Sequence, residues 1–312
     1  MTSQPLGGYR KAPPGWRLVT LDEIKSTDPD ACRAGPFGSS ISRKYFVEAG
    51  VPVIRGSNLS TNLTEFFAEE FVFVNEERAR DKYRNCLVRS GDLVVTCWGT
   101  IGQVGRIPDD GPFDEYVISN KQLKLRTNPS VANSKFVYYY IASDAGVEYI
   151  KSRSIGAAVP GINLGILKSI LIALPPIEIQ ESIVAILSTY DDLIENNRRR
   201  IQLLEQAARL LYKEWFVHLR FPGHEHVKIK DDFPEGWEKK TAFDVMDVLS
   251  GGTPKTKVSN YWDGDIPFYT PKDATDYAYA VSTEKTLTED GLRKCNSKLY
   301  SKDTSLLQHA EL

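Results

Sequence analysis

The chain contains 312 residues, a length that suits two ordinary globular domains or one large domain. It carries 39 basic and 41 acidic residues, a formal net charge of −2, and 41% of its residues are hydrophobic and 26% charged. This composition excludes a mainly disordered chain, a collagen-like repeat and a disulfide-rich scaffold. The balanced charge also gives no sign of a nucleic-acid-binding domain, because such domains are usually basic.

The cysteines and the apolar segments indicate the cellular compartment. Cys32, Cys86, Cys97 and Cys295 are scattered without a C-x-x-C spacing, which is typical of reduced thiols in the cytosol. The N-terminus lacks the apolar core of a signal peptide. The most apolar run, residues 162–174, is shorter than the about 20 residues that a membrane span needs. We therefore expect a cytoplasmic protein.

The first 176 residues contain short apolar runs separated by turn signals. Strand-like residues occur at Phe71–Val74, Leu87–Val95 and Gln122–Leu125. Ser90-Gly91-Asp92 and Gly99-Thr100-Ile101-Gly102 are turn signals around Leu93–Trp98. A run rich in Tyr and Ala, Ser134–Ile150, predicts a helix capped by Asn133 or by its own first serine. Strands and helices do not alternate regularly, which argues against a doubly wound sheet. The pattern predicts an α+β fold, with mixed α and β elements in one domain.

The best-defined element is a long helix that follows Leu174-Pro175-Pro176. No Gly or Pro occurs in residues 177–219, and apolar residues recur there at alternating steps of four and three. This seam consists of Ile183, Leu187, Tyr190, Ile194, Asn197, Ile201, Leu204, Ala208, Leu211 and Trp215. A helix of about 60 Å, at about 1.5 Å per residue, needs a partner helix along such a seam. The seam therefore predicts a coiled coil, in which polar Asn197 sets the register; the alternative is a core helix of one large domain.

Four segments of the first half recur in the same order in the second half. The pairs are Pro13–Trp16 with Pro234–Trp237, Gly35–Gly38 with Gly251–Pro254, Gly50–Asn58 with Asp265–Asp273, and Leu87–Val95 with Leu299–Leu307. Because the offset between the members of a pair drifts only from 221 to 212 residues, the pairs predict a duplicated domain. The second copy stops at Leu312, so we expect it to be incomplete.

The order of these motifs carries a family resemblance. Pro-x-Gly-Trp precedes Val-Pro-Val-Ile-Arg-Gly-Ser-Asn-Leu at residues 51–59 and Ser-Gly-Asp-Leu-Val-Val-Thr-Cys-Trp-Gly-Thr-Ile-Gly at residues 90–102. Gly-Ala-Ala-Val-Pro-Gly-Ile-Asn at 156–163 and Leu-Pro-Pro-Ile-Glu-Ile-Gln at 174–180 then lead into the long helix. Over nearly its whole length the chain resembles the DNA-specificity (S) subunit of type I restriction–modification systems.

The resemblance implies a domain organisation. In that family two target-recognition domains each read one half of a bipartite DNA site, and long helices hold the two domains apart. By that pattern, residues 1–176 form the first target-recognition domain and residues 177–219 a long coiled-coil spacer helix. Residues 220–232 are then a linker, and residues 233–312 are an incomplete second α+β target-recognition domain.

The resemblance also implies a function without catalysis. The chain would bind double-stranded DNA and direct methyltransferase (M) subunits, and through them restriction (R) subunits, to their site. It would need no cofactor, since S-adenosylmethionine and ATP belong to the partner subunits. The seam further predicts a possible homodimer through the long helix. The alternative function is a scaffold that docks or sequesters M subunits through this helix and does not bind DNA.

Polar side chains that could contact DNA cluster on or beside Gly-rich loops of residues 1–176, which carry a net charge of +3. Phosphate contacts come from Arg, Lys, Ser and Thr, and base contacts come from Arg, Lys, Asn and Gln. The predicted DNA-binding residues are Ser39, Ser40, Arg43, Lys44, Arg55, Ser57, Asn58, Thr100, Asn120, Lys121, Gln122, Arg153 and Ser154. Arg55 and Gln122 could instead be satisfied within the domain, and Asn58 could cap a turn. Trp98 is expected in the core, and its alternative role is a platform on which a base stacks.

No catalytic or metal site is predicted. Residues 251–256 lack the Gly-Lys-Ser/Thr ending of a phosphate-binding loop. His224 and His226, with His218 upstream, could ligate a metal, but histidines in a charged linker are more often solvated. The chain also lacks an adenine-methyltransferase signature, a dinucleotide-type glycine fingerprint and any Ser/His/Asp or Cys/His arrangement.

Overall fold

The computed structural model describes residues 12–59, 71–156, 160–274, 279–302 and 304–306. The chain divides into two compact units, Met1–Arg199 and Arg200–Leu312. Within the described ranges, none of the helices combines the length and the apolar content that a bilayer crossing requires.

Short strands and helices of the described residues form an α+β fold, as predicted. The strands are β1 (Arg17–Thr20), β2 (Cys32–Ala34), β3 (Phe46–Val47), β4 (Val51–Ile54), β5 (Val72–Val74), β6 (Leu87–Arg89), β7 (Leu93–Thr96), β8 (Val104–Arg106), β9 (Glu115–Ile118), β10 (Gln122–Leu125), β11 (Leu171–Leu174), β12 (Ile229–Lys230), β13 (Phe233–Pro234), β14 (Trp262–Phe268) and β15 (Lys285–Leu287). The helices are α1 (Glu76–Lys82), α2 (Ser134–Ala142), α3 (Asp144–Ser152), α4 (Leu164–Ser169), α5 (Ile177–Tyr212), α6 (Ala242–Val245) and α7 (Glu289–Arg293).

Two sheets form the centre of the first unit. The strand order is β2-β10-β7-β8 in one sheet and β3-β5-β4-β9-β6 in the other, while β1 pairs with β11. Strand β7 lies between two hydrophobic clusters: Leu93 and Val95 join the cluster that includes α2, and Val94 joins the cluster of the five-stranded sheet. This division follows from the two-residue period of a strand. Every residue of β7 is therefore buried.

The predicted strands are present, but one of them is divided. Phe71–Val74 contains β5, and Gln122–Leu125 is β10. The strand-like run Leu87–Val95, which contains the predicted turn signal Ser90-Gly91-Asp92, forms β6 and β7 in different sheets. The chain turns between them at Gly91, whose φ of +82° is left-handed and favours glycine.

The predicted helix Ser134–Ile150 is divided as well. Ser143 ends α2 and caps α3, because its side-chain oxygen accepts the Gly146 N–H over 3.2 Å. At the start of α2, the Asn133 side chain accepts the Lys135 N–H over 2.9 Å, which confirms the predicted cap. A serine competes well for backbone hydrogen bonds, so it supports a break as readily as a helix interior.

Helix α5 begins at Ile177, directly after the proline pair, as predicted. It ends at Tyr212, and Lys213–Val217 adds one π-helical turn, so the regular helix is shorter than the predicted 177–219. Leu219 has a φ of +56°, which no α-helix accommodates. The 36 residues of α5 extend about 54 Å at about 1.5 Å per residue.

The seam of α5 is exposed beyond its first turns. Ile183 packs against a core cluster of the first unit. The exposed apolar seam residues are Leu187, Tyr190, Ile194, Ile201, Leu204, Leu211 and Trp215, between 37% and 68% exposed. Asn197 is exposed as well. Such exposure does not fit the core helix of one large domain, which was the alternative interpretation.

Gln180 attaches the first turn of α5 to the first unit. It is fully buried, and its side-chain oxygen accepts the Asn133 N–H over 2.8 Å. Its side-chain nitrogen donates to the carbonyls of Val131 (3.2 Å) and Pro175 (2.8 Å). This single amide therefore joins the start of α5 to the start of α2.

The second unit repeats local structures of the first, in agreement with the predicted duplication. In both Pro13–Trp16 and Pro234–Trp237, the Trp N–H donates to the carbonyl of the first proline over 3.0 Å. The glycine of each turn has positive φ, +80° in the first and +93° in the second. The Pro-x-Gly-Trp motif thus forms the same turn twice.

The strand pairing is repeated in the same register. Val51 of β4 is opposite Val74 of β5, and the equivalent Ile266 of β14 is opposite Leu287 of β15. Both pairs are antiparallel. The predicted fourth pair is different, because residues 299–302 and 304–306 form no strand, while residues 303 and 307 lie outside the described ranges.

Candidate nucleic-acid interface

Three strands of the first unit end at one place on its surface. β4 is followed by Arg55, and its parallel neighbour β9 is followed by Ser119 and Asn120. Parallel neighbours carry the chain in the same direction, so the residues that follow them lie side by side. The end of β7 joins them, because the Cys97 N–H donates to the Lys121 carbonyl over 2.8 Å.

These strand ends surround an open groove with a cavity of about 510 Å³. Five of the predicted DNA-binding residues line it: Arg55, Ser57, Thr100, Asn120 and Lys121. Arg55 is half-buried and the other four are exposed. The structure thus brings these five side chains together, and their contact with DNA stays a prediction.

Hydrogen bonds link the loops on the two sides of the groove. The Arg55 N–H donates to the side-chain oxygen of Asn58 over 2.9 Å, so Asn58 caps a turn, as its alternative interpretation states. Across the groove, the Thr100 hydroxyl donates to the Gln103 side-chain oxygen over 2.5 Å. The Gln103 amide in turn donates to the Leu59 carbonyl over 2.8 Å. Asn58 is buried, and in this conformation it supports the groove rather than lining it.

Gln122 lies beside the groove but is fully buried. Its side-chain oxygen accepts the Ser119 N–H over 3.0 Å and the Ser119 hydroxyl. Its side-chain nitrogen has no hydrogen-bond partner among the described residues. In this conformation Gln122 positions Ser119, which lines the groove, and does not itself reach the surface.

Trp98, expected in the core, is instead 41% exposed and lines the groove. Its ring packs against Gly161, where an added Cβ would lie 2.4 Å from two ring carbons. The ring is therefore held from behind by backbone and remains accessible from the groove. An exposed aromatic ring beside hydrogen-bond donors offers a surface on which a base can pack.

Four further predicted residues lie on neighbouring loops. Ser39 and Ser40 are exposed in a short 3-10 turn, and Ser40 O accepts hydrogen bonds from other side chains. Arg43 and Lys44 are exposed on the segment 41–46, whose first and last residues line the groove. These side chains are placed at the rim, where they could reach a phosphate.

Arg153 and Ser154 follow α3 and do not line the groove. The Arg153 guanidinium donates to the Tyr149 hydroxyl over 2.8 Å and lies over the Tyr149 ring. Ile155, the next residue, exchanges backbone hydrogen bonds with Gly161 beneath Trp98. This pair of predicted residues is therefore connected to the groove through backbone rather than through side chains.

Sequence reasoning missed two features of this unit. Phe37 is 96% exposed on a loop that begins at Gly35, where an added Cβ would lie 1.8 Å from the Ser119 carbonyl oxygen. A second cavity contains five arginines: Arg33, Arg80, Arg84, Arg89 and Arg126. No local sequence signal marks this arginine cluster, because its members come from separate elements that only the tertiary structure brings together.

The groove offers binding chemistry. Cys97, next to Trp98, is buried, and burial raises the pKa of its thiol to about 11, so the thiol is protonated and weakly nucleophilic at neutral pH. Across the described residues, no group of three or more His, Cys, Asp or Glu side chains is arranged to hold a metal. Cationic, amide and hydroxyl groups around an aromatic ring are instead the groups that contact phosphates and bases.

The family model for the type I restriction modification DNA specificity domain matches residues 16–206 and 234–309. The chain belongs to this family. The two matched ranges begin at the two Pro-x-Gly-Trp turns, so the family match follows the duplication seen in the structure.

Similar proteins carry related names. The chain is 30% identical to the type I restriction enzyme MjaIX specificity subunit of Methanocaldococcus jannaschii over 310 residues, which cover 96% of this chain and 67% of that protein. It is 23% identical to the HindI specificity subunit of Haemophilus influenzae, over 58% of this chain and 53% of that protein.

Solved structures of specificity subunits are also similar. The S subunit from M. genitalium aligns over 90% of this chain and 63% of that chain, with 16% identity and a TM-score of 0.48. The HsdS subunit from Thermoanaerobacter tengcongensis aligns over 86% and 64%, with 19% identity and a TM-score of 0.44. The chain thus spans less than two thirds of the length of each of these two solved proteins.

Proposed function

We propose that this chain recognises a specific sequence of double-stranded DNA within a type I restriction–modification complex. The observation that carries the proposal is the groove around Trp98, in which five predicted DNA-binding residues converge in a member of the DNA specificity family. In this proposal the chain is not an enzyme. It directs M subunits, and through them R subunits, to one half of a bipartite site.

The groove residues divide into two groups by their chemistry. Arg55 and Lys121 supply positive charge for phosphates, and the hydroxyls of Ser57 and Thr100 add neutral donors. Asn120 is exposed, and an asparagine amide can make two hydrogen bonds with adenine in the major groove. We therefore assign base reading to Asn120 and positioning on the duplex mainly to Lys121.

The roles that we propose for the segments of the chain follow the repeat. We propose that residues 1–176 read the first half-site, that 177–219 act as the spacer, that 220–232 act as a linker and that 233–312 belong to a second recognition domain. The repeated turn and the repeated strand register support this division, because they place equivalent local structures before and after α5.

Selection from a pool of duplexes with a randomised stretch tests the proposal. The wild-type chain, assembled with its M subunit, is expected to enrich one defined sequence. Asn120→Ala should relax discrimination at one base position, by about 1–3 kcal/mol, while other positions stay selected. Asn196→Ala, an exposed asparagine on α5, is the matched control and should enrich the wild-type sequence.

Two outcomes would contradict the proposal. A wild-type complex that binds duplexes but recovers a pool as diverse as the starting one has no sequence specificity. A chain that binds the M subunit while the complex binds no duplex would favour the scaffold alternative.

We also propose that the exposed seam of α5 pairs with a helix of a second copy in antiparallel orientation. The seam is apolar over most of α5, and a helix with such a stripe is stabilised by burying it against another helix. Antiparallel pairing would place a recognition domain at each end of the helix pair. M subunits could then dock on the paired helices.

Light scattering tests the pairing. The wild-type chain is expected to have the mass of a dimer, and Ile201→Lys with Leu204→Lys should shift it to the monomer, because two charges cannot be buried in an apolar seam. Gln202→Lys with Gln206→Lys changes exposed positions of the same helix and should leave the dimer intact. A folded wild-type monomer at all concentrations tested would overturn this proposal.

A further inference from the structure

The arginine cluster lies in an open cleft with a cavity of about 690 Å³. We call this surface the arginine cleft and define it by Arg33, Arg80, Arg84, Arg89 and Arg126. The acidic residues that line it are Asp30 and Glu115. Positive charge is therefore in excess at this surface.

The arginine cleft lies where the edges of two sheets meet. Arg33 is on β2, an edge strand of the four-stranded sheet, and Arg89 is on β6, an edge strand of the five-stranded sheet. Arg80 is on α1 and Arg84 is in the 3-10 turn that leads into β6. Four of the five arginines are exposed, and Arg126 is half-buried.

Two of the arginines already have carboxylate partners. Arg80 is paired with Glu115, and Arg126 is paired with Asp92 at 2.7 Å and with Asp28 at 3.0 Å. These pairs hold the walls of the cleft together.

The other three arginines have no such partner. Within the described ranges, Arg33, Arg84 and Arg89 make no side-chain hydrogen bond or ion pair. The two carboxylates of the cleft are paired elsewhere, Glu115 with Arg80 and Asp30 with Lys124. Three like charges in one cleft that are paired with neither carboxylate repel one another, and an anion bound between them would relieve that repulsion. The planar guanidinium fork matches phosphate oxygens, with which it forms paired hydrogen bonds.

The lining favours a nucleic-acid backbone over a protein segment. Protein interfaces usually centre on exposed apolar and aromatic side chains. In the arginine cleft the larger apolar lining residues, Leu87 and Val88, are buried, so the exposed lining is mostly charged and polar. A surface of this kind suits phosphates, which are contacted without regard to base sequence.

The arginine cleft and the Trp98 groove lie at opposite ends of the same strands. Glu115, the first residue of β9, lines the cleft, and Ser119, directly after β9, lines the groove, a separation of about 13 Å at about 3.3 Å per residue. Lys121 and Arg126 are related in the same way across β10, by about 17 Å. For a duplex whose axis runs along these strands, at about 3.4 Å per base pair, this corresponds to about four to five base pairs.

We propose that the arginine cleft binds the phosphodiester backbone of the duplex whose bases are read at the groove, about four to five base pairs from the bases read. The proposal rests on the proposed function for the identity of the anion. It assigns the cleft to sequence-independent affinity, and it assigns sequence discrimination to the groove alone.

The salt dependence of DNA binding tests this assignment. In the full chain assembled with its M subunit, Arg33→Ala, Arg84→Ala and Arg89→Ala are combined, and affinity is measured for the selected duplex and for a scrambled one. If each arginine contacts one phosphate, the slope of log affinity against log salt should flatten by up to about 2.7. Affinity for both duplexes should fall by about 10-fold to 100-fold at 0.1 M salt, and their ratio should stay unchanged.

The matched control combines Arg17→Ala, Lys135→Ala and Arg199→Ala, which remove three basic side chains that line neither surface. It should leave most of the salt slope in place, because only charges at the DNA surface release counterions. A second variant, which combines Arg33→Lys, Arg84→Lys and Arg89→Lys, keeps the positive charge. It should retain most of the dependence of affinity on salt. It shows that loss of folding does not explain the alanine result.

The outcomes separate this proposal from the proposed function. If the wild-type complex discriminates between the duplexes, and the alanine variant has the same salt slope and affinity as wild type, the cleft does not bind the DNA backbone. That result leaves the proposed function supported. The same unchanged slope is expected if the cleft binds an acidic protein segment. A wild-type complex without discrimination, whose affinity for all duplexes falls in the variant, overturns sequence recognition and supports the cleft.

Discussion

Asp92→Ala is expected to lower the free energy of unfolding of the first unit by about 3–5 kcal/mol. Asp92 is 1% exposed, and its carboxylate accepts two hydrogen bonds from the Arg126 guanidinium, both over 2.7 Å. It also accepts the Arg89 N–H over 3.0 Å at the turn between β6 and β7. Removing the carboxylate leaves a guanidinium and a backbone donor without their partner in a poorly solvated place.

The Asp92 carboxylate and the Arg126 guanidinium stabilise each other's charged form. The hydrogen bonds that Arg126 donates to Asp92 raise the pKa of Arg126 above its usual value, so the guanidinium stays charged at every accessible pH. Its second partner, Asp28, remains in the variant and keeps the loss toward the lower end of the range. The loss should be measured by urea denaturation.

A surface pair provides the control for Asp92. Asp81 and Lys82 are more than 60% exposed, and exposed pairs contribute little because water and salt screen them. Asp81→Ala should therefore shift the urea midpoint by less than a third of the shift seen for Asp92→Ala. Equal shifts would show that burial of the Asp92–Arg126 pair is irrelevant to stability.

Gln180→Leu is expected to destabilise the first unit by at least about 3 kcal/mol, since each of three backbone groups that lose a buried partner costs about 1–3 kcal/mol. Leucine occupies a similar volume but leaves the Asn133 N–H and the carbonyls of Val131 and Pro175 without a side-chain partner. The effect should be concentrated at the junction of α2 and α5. Faster amide hydrogen exchange at Asn133 would report it directly.

The neighbouring residue offers a control on the same helix turn. Glu181 is exposed, and Glu181→Leu should leave both the urea midpoint and the exchange rate at Asn133 nearly unchanged. If Gln180→Leu behaves like Glu181→Leu, the amide of Gln180 does not attach α5 to the first unit.

The elements that the sequence predicted correctly depend on local interactions. The proline pair presets the start of α5, Asn133 caps α2, and the Pro-x-Gly-Trp turn needs only a glycine at positive φ. Each of these structures forms from residues within a few positions of one another. The repeat is visible for the same reason, because identical local motifs form identical turns.

The features that the sequence did not predict depend on contacts with residues distant in the chain. Leu87–Val95 carries a turn signal at Gly91, but the turn signal does not say that the two halves join different sheets. Trp98 is a large apolar residue of the kind expected in a core, but the backbone of Gly161 covers only one side of its ring. Apolar content alone does not say which side of a side chain will be covered.

The candidate site shows the same division. The sequence named the polar residues that line the groove, because they stand beside glycine-rich loops. It also named Gln122, which is buried, and it missed the arginine cleft entirely. Neither burial nor the approach of β2 to β6 can be read from neighbouring residues.

The balanced net charge of −2 gives no sign of a nucleic-acid partner. By itself, the sequence determined the family, the duplication and the long helix, since these follow from motifs and periodicity within short stretches of chain. Only the tertiary structure decided where the charge acts. Strands distant in sequence meet at their edges and ends, and there they concentrate arginines in one cleft and hydrogen-bond donors in one groove.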